Sequence, residues 1–126
     1  MIYGTPRELT MEFDARGRTG WILLWPKCNR LVSVEERMEV PVDALGVVHD
    51  KSSWARRFVS VQNTLVQPGW RGHLTLEVSN RGWMFRVLRR GDAMAQIVFH
   101  EVRDARPYDG RYQDQPRGPV RARLEA

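Results

Sequence analysis

Apolar residues along the chain come in short runs bounded by turn formers, without the three-to-four spacing of an amphipathic helix, and the runs are rich in Val, Ile, Leu, Phe and Trp. The pattern predicts strands at about 21–25, 30–40, 45–49, 58–66, 72–79, 83–89 and 93–102. The turn pairs Pro68-Gly69, Arg81-Gly82 and Gly91-Asp92 separate the later runs as hairpin-like joints. Within one run, His73-Leu74-Thr75-Leu76-Glu77-Val78-Ser79 alternates strictly. This sets Leu74, Leu76 and Val78 on a core face and His73, Thr75, Glu77 and Ser79 on a polar one. Many short strands imply an all-β barrel or sandwich.

One helical turn is expected at Lys51–Arg57, capped by Asp50 or Ser52. From Arg106 onward Pro, Gly and Arg dominate and apolar periodicity disappears, which reads as an extended arm. The first twenty residues carry no clear pattern, and no internal repeat is visible. The organisation expected is a β domain over residues 1–105, with residues 1–20 atypical, followed by an arm over residues 106–126.

The 126 residues fit one domain, and so short a chain buries a limited core, which favours stability borrowed from neighbouring subunits. A net charge of +5 attracts polyanions as a class. Cys28 stands alone and cannot form an internal disulfide, and no leader-like segment opens the chain, so a cytoplasmic location is expected. No apolar run approaches the roughly 20 residues needed to span a bilayer, since Trp21-Ile22-Leu23-Leu24-Trp25 stops at Pro26.

The zinc-dependent deaminases require His and Cys ligands that a chain with one cysteine and three scattered histidines (His49, His73, His100) does not supply, so no metal is assigned to side chains. On residue type alone, Glu77 reads as a solvent-facing strand carboxylate, the Ser52–Arg56 segment as an ordinary turn, and the tail as a solvated basic end.

Longer motifs change that balance. Lys51-Ser52-Ser53-Trp54-Ala55-Arg56 is followed by Gln67-Pro68-Gly69-Trp70-Arg71-Gly72, then Leu76-Glu77 and Asn80. Gly91-Asp92, Gln96 and Phe99-His100-Glu101 come next, and the series ends in Tyr108, Arg111-Tyr112-Gln113, Gln115 and Gly118-Pro119-Val120. Each piece alone is weak, but in this order they are specific. The set resembles the deoxycytidine triphosphate (dCTP) deaminases and, less closely, their relatives the dUTPases, over roughly residues 20–124.

The resemblance implies a distorted jelly-roll β-barrel of the dUTPase-like type in a homotrimer, with active sites between subunits and the arm closing over the nucleotide. Glu77 would be the general base and acid that converts dCTP to dUTP and ammonia without zinc. Arg56 and burial would set its proton affinity, and Ser52 would help position water or phosphates. Lys51, Ser53, Arg111 and Gln115 would meet the triphosphate, with Mg2+ bound through the phosphates. Gln62 and Asn63 would lie by the base and sugar. Trp70 would pack on the sugar or serve as a core or interface residue, and Tyr108 is the remaining nucleotide contact. A dUTPase would carry a catalytic aspartate where this chain has Gln67, and an amide is no general base.

The chain departs from the family pattern in three places. The family's opening strand with Asp-Leu-Arg is echoed only faintly, by Phe13-Asp14-Ala15-Arg16-Gly17. Asp50 puts a negative charge beside the phosphate turn, opposing phosphate unless it is paired or points away, and Arg57-Phe58 follows Arg56 without the usual glycine. A non-catalytic nucleotide-binding or regulatory trimer is the alternative from another class. A basic nucleic-acid-binding barrel is a third reading, which the family motifs disfavour.

Overall fold

The computed structural model describes residues 3–14 and 20–122. Among these residues the chain forms β1 (Arg7–Asp14), β2 (Trp21–Leu24), β3 (Asn29–Glu39), β4 (Ala44–Asp50), one helical turn α1 (Ser52–Ala55), β5 (Val59–Val61), β6 (Leu65–Val66), β7 (Arg71–Asn80), β8 (Arg86–Arg89) and β9 (Ala93–Glu101). Seven strands make one antiparallel sheet in the order β5-β7-β3-β1-β9-β4-β6, and β2 pairs with β8 in a separate ribbon.

The sheet has to curl, because its two edges, β5 and β6, are consecutive in sequence and only residues 62–64 join them. Such a connection spans at most roughly 14 Å, while six strand-to-strand steps at ~4.8 Å separate the same edges in a flat sheet. Together with the β2–β8 ribbon, the curled sheet gives the all-β, distorted jelly-roll architecture expected from the sequence.

Alternation within strands decides what lies inside the curl. Leu74, Leu76 and Val78 of β7 pack inward, as the sequence pattern requires, with Val32 and Val34 of β3, Leu9 and Met11 of β1, Met94 and Ile97 of β9, and Val48 of β4. Each such side chain contributes about 1.5–3 kcal/mol on full burial.

The first twenty residues, which carried no legible pattern, supply β1, a strand in the middle of the sheet between β3 and β9. Two bulges, at Leu9/Thr10 and at Met11/Phe13, break its two-residue period. Its buried residues also include a carboxylate, Glu12. Of the Phe13–Gly17 echo, the backbone of Phe13 and Asp14 ends β1, and residues 15–17 lie outside the described residues.

Two further strands differ from expectation. The run at 58–66 is not one strand: it begins after Phe58, whose φ is +62°, and divides into β5 and β6 around the connection that turns the sheet back on itself. The run at 83–89 forms a strand only from Arg86, since Trp83, Met84 and Phe85 lie in the exposed bend before it.

Candidate functional site

Two cavities flank the connection between the sheet edges. The first, about 410 Å3, lies between the outer face of β7 and the tail. Glu77 and Thr75 form one wall, Gln67 and Trp70 the turn side, and Tyr108, Tyr112, Gln115 and Val120 the tail side. The second, about 530 Å3, is more polar and is lined by Lys27, Asn29, Asp50, Gln62, Asn63 and Arg81 among others. Both volumes fall in the ~300–1,000 Å3 range of small-molecule sites.

Glu77 stands on the polar face of β7, exposed, and is the only carboxylate among the described residues that line the first cavity. Its backbone is fixed on both sides: it pairs with Leu31 of β3, and its carbonyl accepts from Gln62 N at 3.1 Å. The carboxylate is therefore held by a rigid strand while its oxygens face open space.

The turn before β7 explains the spacing of Pro68-Gly69-Trp70-Arg71-Gly72, because the tail docks there. Tyr108 N donates to Pro68 O at 2.7 Å, and Gln113 Nε2 donates to Gly69 O at 3.0 Å. Gly72 (φ +138°) forms a parallel bridge with Gln115. A Cβ on Gly72 would fall 2.6 Å from Gln115 N, so a side chain there would push the tail away.

Three of the expected nucleotide contacts hold the tail through their own polar groups. Trp70 is buried and donates from Nε1 to Tyr112 O at 2.8 Å. The Tyr108 hydroxyl accepts from Tyr112 N at 3.1 Å. Gln115 is buried, and its Nε2 donates to His73 O at 2.7 Å and to Thr75 Oγ1 at 3.3 Å.

The Lys51–Arg57 segment is elsewhere. Trp54 anchors α1 in the core, with the Arg57 guanidinium stacked over its ring at 4.1 Å. Ser52, Ser53 and Arg56 are exposed, and among the described residues their side chains make no hydrogen bond or ion pair. Lys51 pairs with Glu8 of β1 at 2.5 Å.

The expected cap is not formed: Lys51 takes the N-cap position without a side-chain bond, and Asp50 instead accepts from Val61 N at 2.5 Å. Asp50 thus has a backbone partner at the end of β5 and faces the second cavity.

The structure thus brings Glu77, Trp70, Tyr108 and Gln115 to one cavity and Gln62 and Asn63 to the other. Lys51, Ser52, Ser53, Arg56 and Arg111 line neither. Within one chain Glu77 is exposed and Arg56 does not line its cavity. Sequence reasoning missed Thr75 and Tyr112 as lining residues. Thr75 was findable, since it shares the polar face of β7 with Glu77 two residues on. Among the described residues no group of three or more His, Cys, Asp or Glu side chains could hold a metal ion, and no helix is long and apolar enough to cross a membrane.

The sequence model of the dCTP deaminase-like family matches residues 7–102, from the first residue of β1 to just past β9. The chain belongs to that family. A dCTP deaminase from Metallosphaera sedula is 33% identical over 106 residues, covering 82% of this chain and 61% of the relative. One from Halorubrum lacusprofundi is 36% identical over 110 residues, covering 81% and 54%. The chain thus spans a little over half to about three-fifths of the length of these relatives.

In three dimensions the chain is similar to the 2'-deoxycytidine 5'-triphosphate deaminase of Agrobacterium tumefaciens, with a TM-score of 0.66 at 20% identity, over 77% of this chain and 39% of that one. The native EIAV dUTPase gives 0.61 at 18% identity, over 83% and 95%. The dUTPase-like fold is common to all three. The family match stops at Val102, so the tail's place in the site rests on its own contacts with β7.

Proposed function

We propose that this chain carries the catalytic part of a dCTP deaminase, which hydrolyses dCTP to dUTP and ammonia with Glu77 as the proton-transfer group and without zinc. The observation that carries the reading is the position of Glu77: an exposed carboxylate on a paired strand, the only one among the described residues that line a nucleotide-sized cavity, in a member of this family. Its relatives' names support dCTP as the substrate.

In the reaction Glu77 takes a proton from water as the oxygen bonds to C4 of cytosine, and delivers it to N3. The proton of the new hydroxyl then passes, again through Glu77, to the amino group. Ammonia leaves with the C4–N bond pair, and the C4 carbonyl of uracil forms. A single carboxylate performs both transfers in turn. Gln67 lines the same cavity but, as an amide, supplies no base for the dUTPase reaction.

The groups suited to the triphosphate are the hydroxyls of Ser52 and Ser53 and the charges of Lys51 and Arg56, with Arg111 from the tail. In one chain none of them lines the cavity of Glu77, which supports a homotrimer whose sites combine this turn from one copy with the β7 cavity of another. The β2–β8 ribbon supports association as well. Trp21, Trp25 and Phe85 on and beside it are exposed, and Trp83 is 81% exposed, an apolar surface of the kind a neighbouring subunit covers. Magnesium enters this reading on the phosphates of the substrate, in keeping with its preference for phosphate and water oxygens. A cytoplasmic enzyme of pyrimidine deoxynucleotide metabolism is the corresponding setting.

The test is incubation with dCTP, dCMP, CTP and dUTP in the presence of magnesium, with products resolved by chromatography. The expected result is dUTP from dCTP. Tight dCTP binding with every nucleotide intact would replace this reading with a non-catalytic nucleotide-binding trimer, and release of pyrophosphate from dUTP would replace it with the dUTPase chemistry.

A further inference from the structure

We infer that Glu12 is a positioning residue for the tail side of the Glu77 cavity, acting through Arg117; its bearing on nucleotide rests on the function proposed above. Glu12 is fully buried in β1. Both its oxygens are engaged: Arg117 Nε donates to Oε2 at 2.6 Å, Arg117 Nη2 donates to Oε1, and Arg90 Nη2 reaches Oε1 at 3.1 Å. Burying a carboxylate costs several kcal/mol unless it is paired and hydrogen-bonded, and a two-pronged guanidinium is the pairing that best satisfies it.

The pair joins residues 105 positions apart, and its place in the tail gives it a function. Arg117 lies between Gln115 and Val120, both of which line the cavity opposite Glu77. Immediately beyond the clamp, Gly118 N donates to the buried Ser33 hydroxyl at 3.1 Å, and Val120 N donates to Thr75 Oγ1 at 2.9 Å. Thr75 Oγ1 also receives Gln115 Nε2. The segment 115–120 is thus bound to β1, β3 and β7 in succession. Glu12 is the one charged group in that series, and Arg117 is the only tail residue bonded to it among the described residues. Without Arg117, Arg90 reaches only Oε1 and leaves Oε2 buried without a donor, so the carboxylate draws the tail back whenever it lifts.

The experiment uses the intact protein and the variants Arg117→Gln, Arg117→Lys and Glu12→Gln. Arg117→Gln leaves the Arg90 bond to Glu12 in place and serves if Glu12→Gln does not fold. Limited chymotrypsin digestion, with fragments identified by mass, reads cleavage after Tyr108 and Tyr112. It is expected to accelerate about tenfold or more in Arg117→Gln, and less in Arg117→Lys, which keeps the charge and loses the fork. Wild-type cleavage rates in Arg117→Gln would overturn the clamp, whatever the enzyme does to dCTP. In turnover, KM for dCTP should rise about tenfold with kcat within twofold, and Arg117→Lys should recover part of the loss. A loosened tail with unchanged KM would overturn the positioning role. A wild type that ignores dCTP would overturn the proposed function while the digestion still decides the clamp.

Discussion

The Glu77 cavity and the Lys51–Arg57 turn differ in how far one chain completes them. Around the cavity Trp70, Tyr108 and Gln115 hold the tail against β7, and the tail closes one side of the space. On the turn, Ser52, Ser53 and Arg56 are exposed without side-chain partners among the described residues, on a helical turn anchored from beneath by Trp54. Under the proposed function the cavity would receive the uncharged part of the nucleotide and the turn its charge; in one chain the two do not share a cavity.

The strongest way to test the cavity's half of that comparison is Glu77→Gln, which keeps shape and removes the base. It should lower turnover of dCTP by about 10²–10⁴-fold with an unchanged melting temperature and retained dCTP binding; wild-type turnover would take Glu77 out of the reaction. Mixing Glu77→Gln with Arg56→Gln, each inactive alone, then asks whether the two regions belong to different copies. If they do, random assembly should restore about a quarter of the sites after subunit exchange. No recovery would place both halves of a site in the same chain.

Gly72→Ala separates the regions by damaging one. Its φ of +138° and the 2.6 Å approach of a Cβ to Gln115 N should cost about 1–3 kcal/mol, read by denaturant titration, and weaken nucleotide binding. Trp70→Phe removes the single bond to Tyr112 O and should cost about 0.5–1.5 kcal/mol. The smallest effect belongs to the turn. Glu8→Gln releases Lys51 from a pair whose acidic partner is mostly exposed, so it should change stability by less than about 1 kcal/mol and tighten triphosphate binding a few-fold at low salt. Weaker binding would mean that Glu8 holds Lys51 in its useful position.

These residues also show what the sequence could disclose. The polar and apolar faces of β7 were legible because strand alternation is local. The turns at Ser52 and at Pro68-Gly69 were legible because such turns rest on local residue preferences. β1 was not, since two bulges shift its period and Glu12 puts a charge where the core pattern calls for an apolar residue. That carboxylate is intelligible only beside Arg90 and Arg117, 78 and 105 residues away. Trp70 could not be divided between ligand and core from its identity, because its indole N–H finds its acceptor 42 residues downstream. Candidate residues could be named from the sequence, but their grouping into cavity and turn depends on how the sheet curls.

That curl leaves the large sheet with its two shortest strands at its margins, β5 with three residues and β6 with two. A sheet margin is where stray chains add by backbone pairing and where fibrous aggregation begins, and a margin two or three residues long offers too few unpaired groups to template a partner. Copies of this protein are thereby steered away from open-ended stacking of one sheet on the next. An insertion that lengthened β5 or β6 would put solubility at risk before it touched the chemistry.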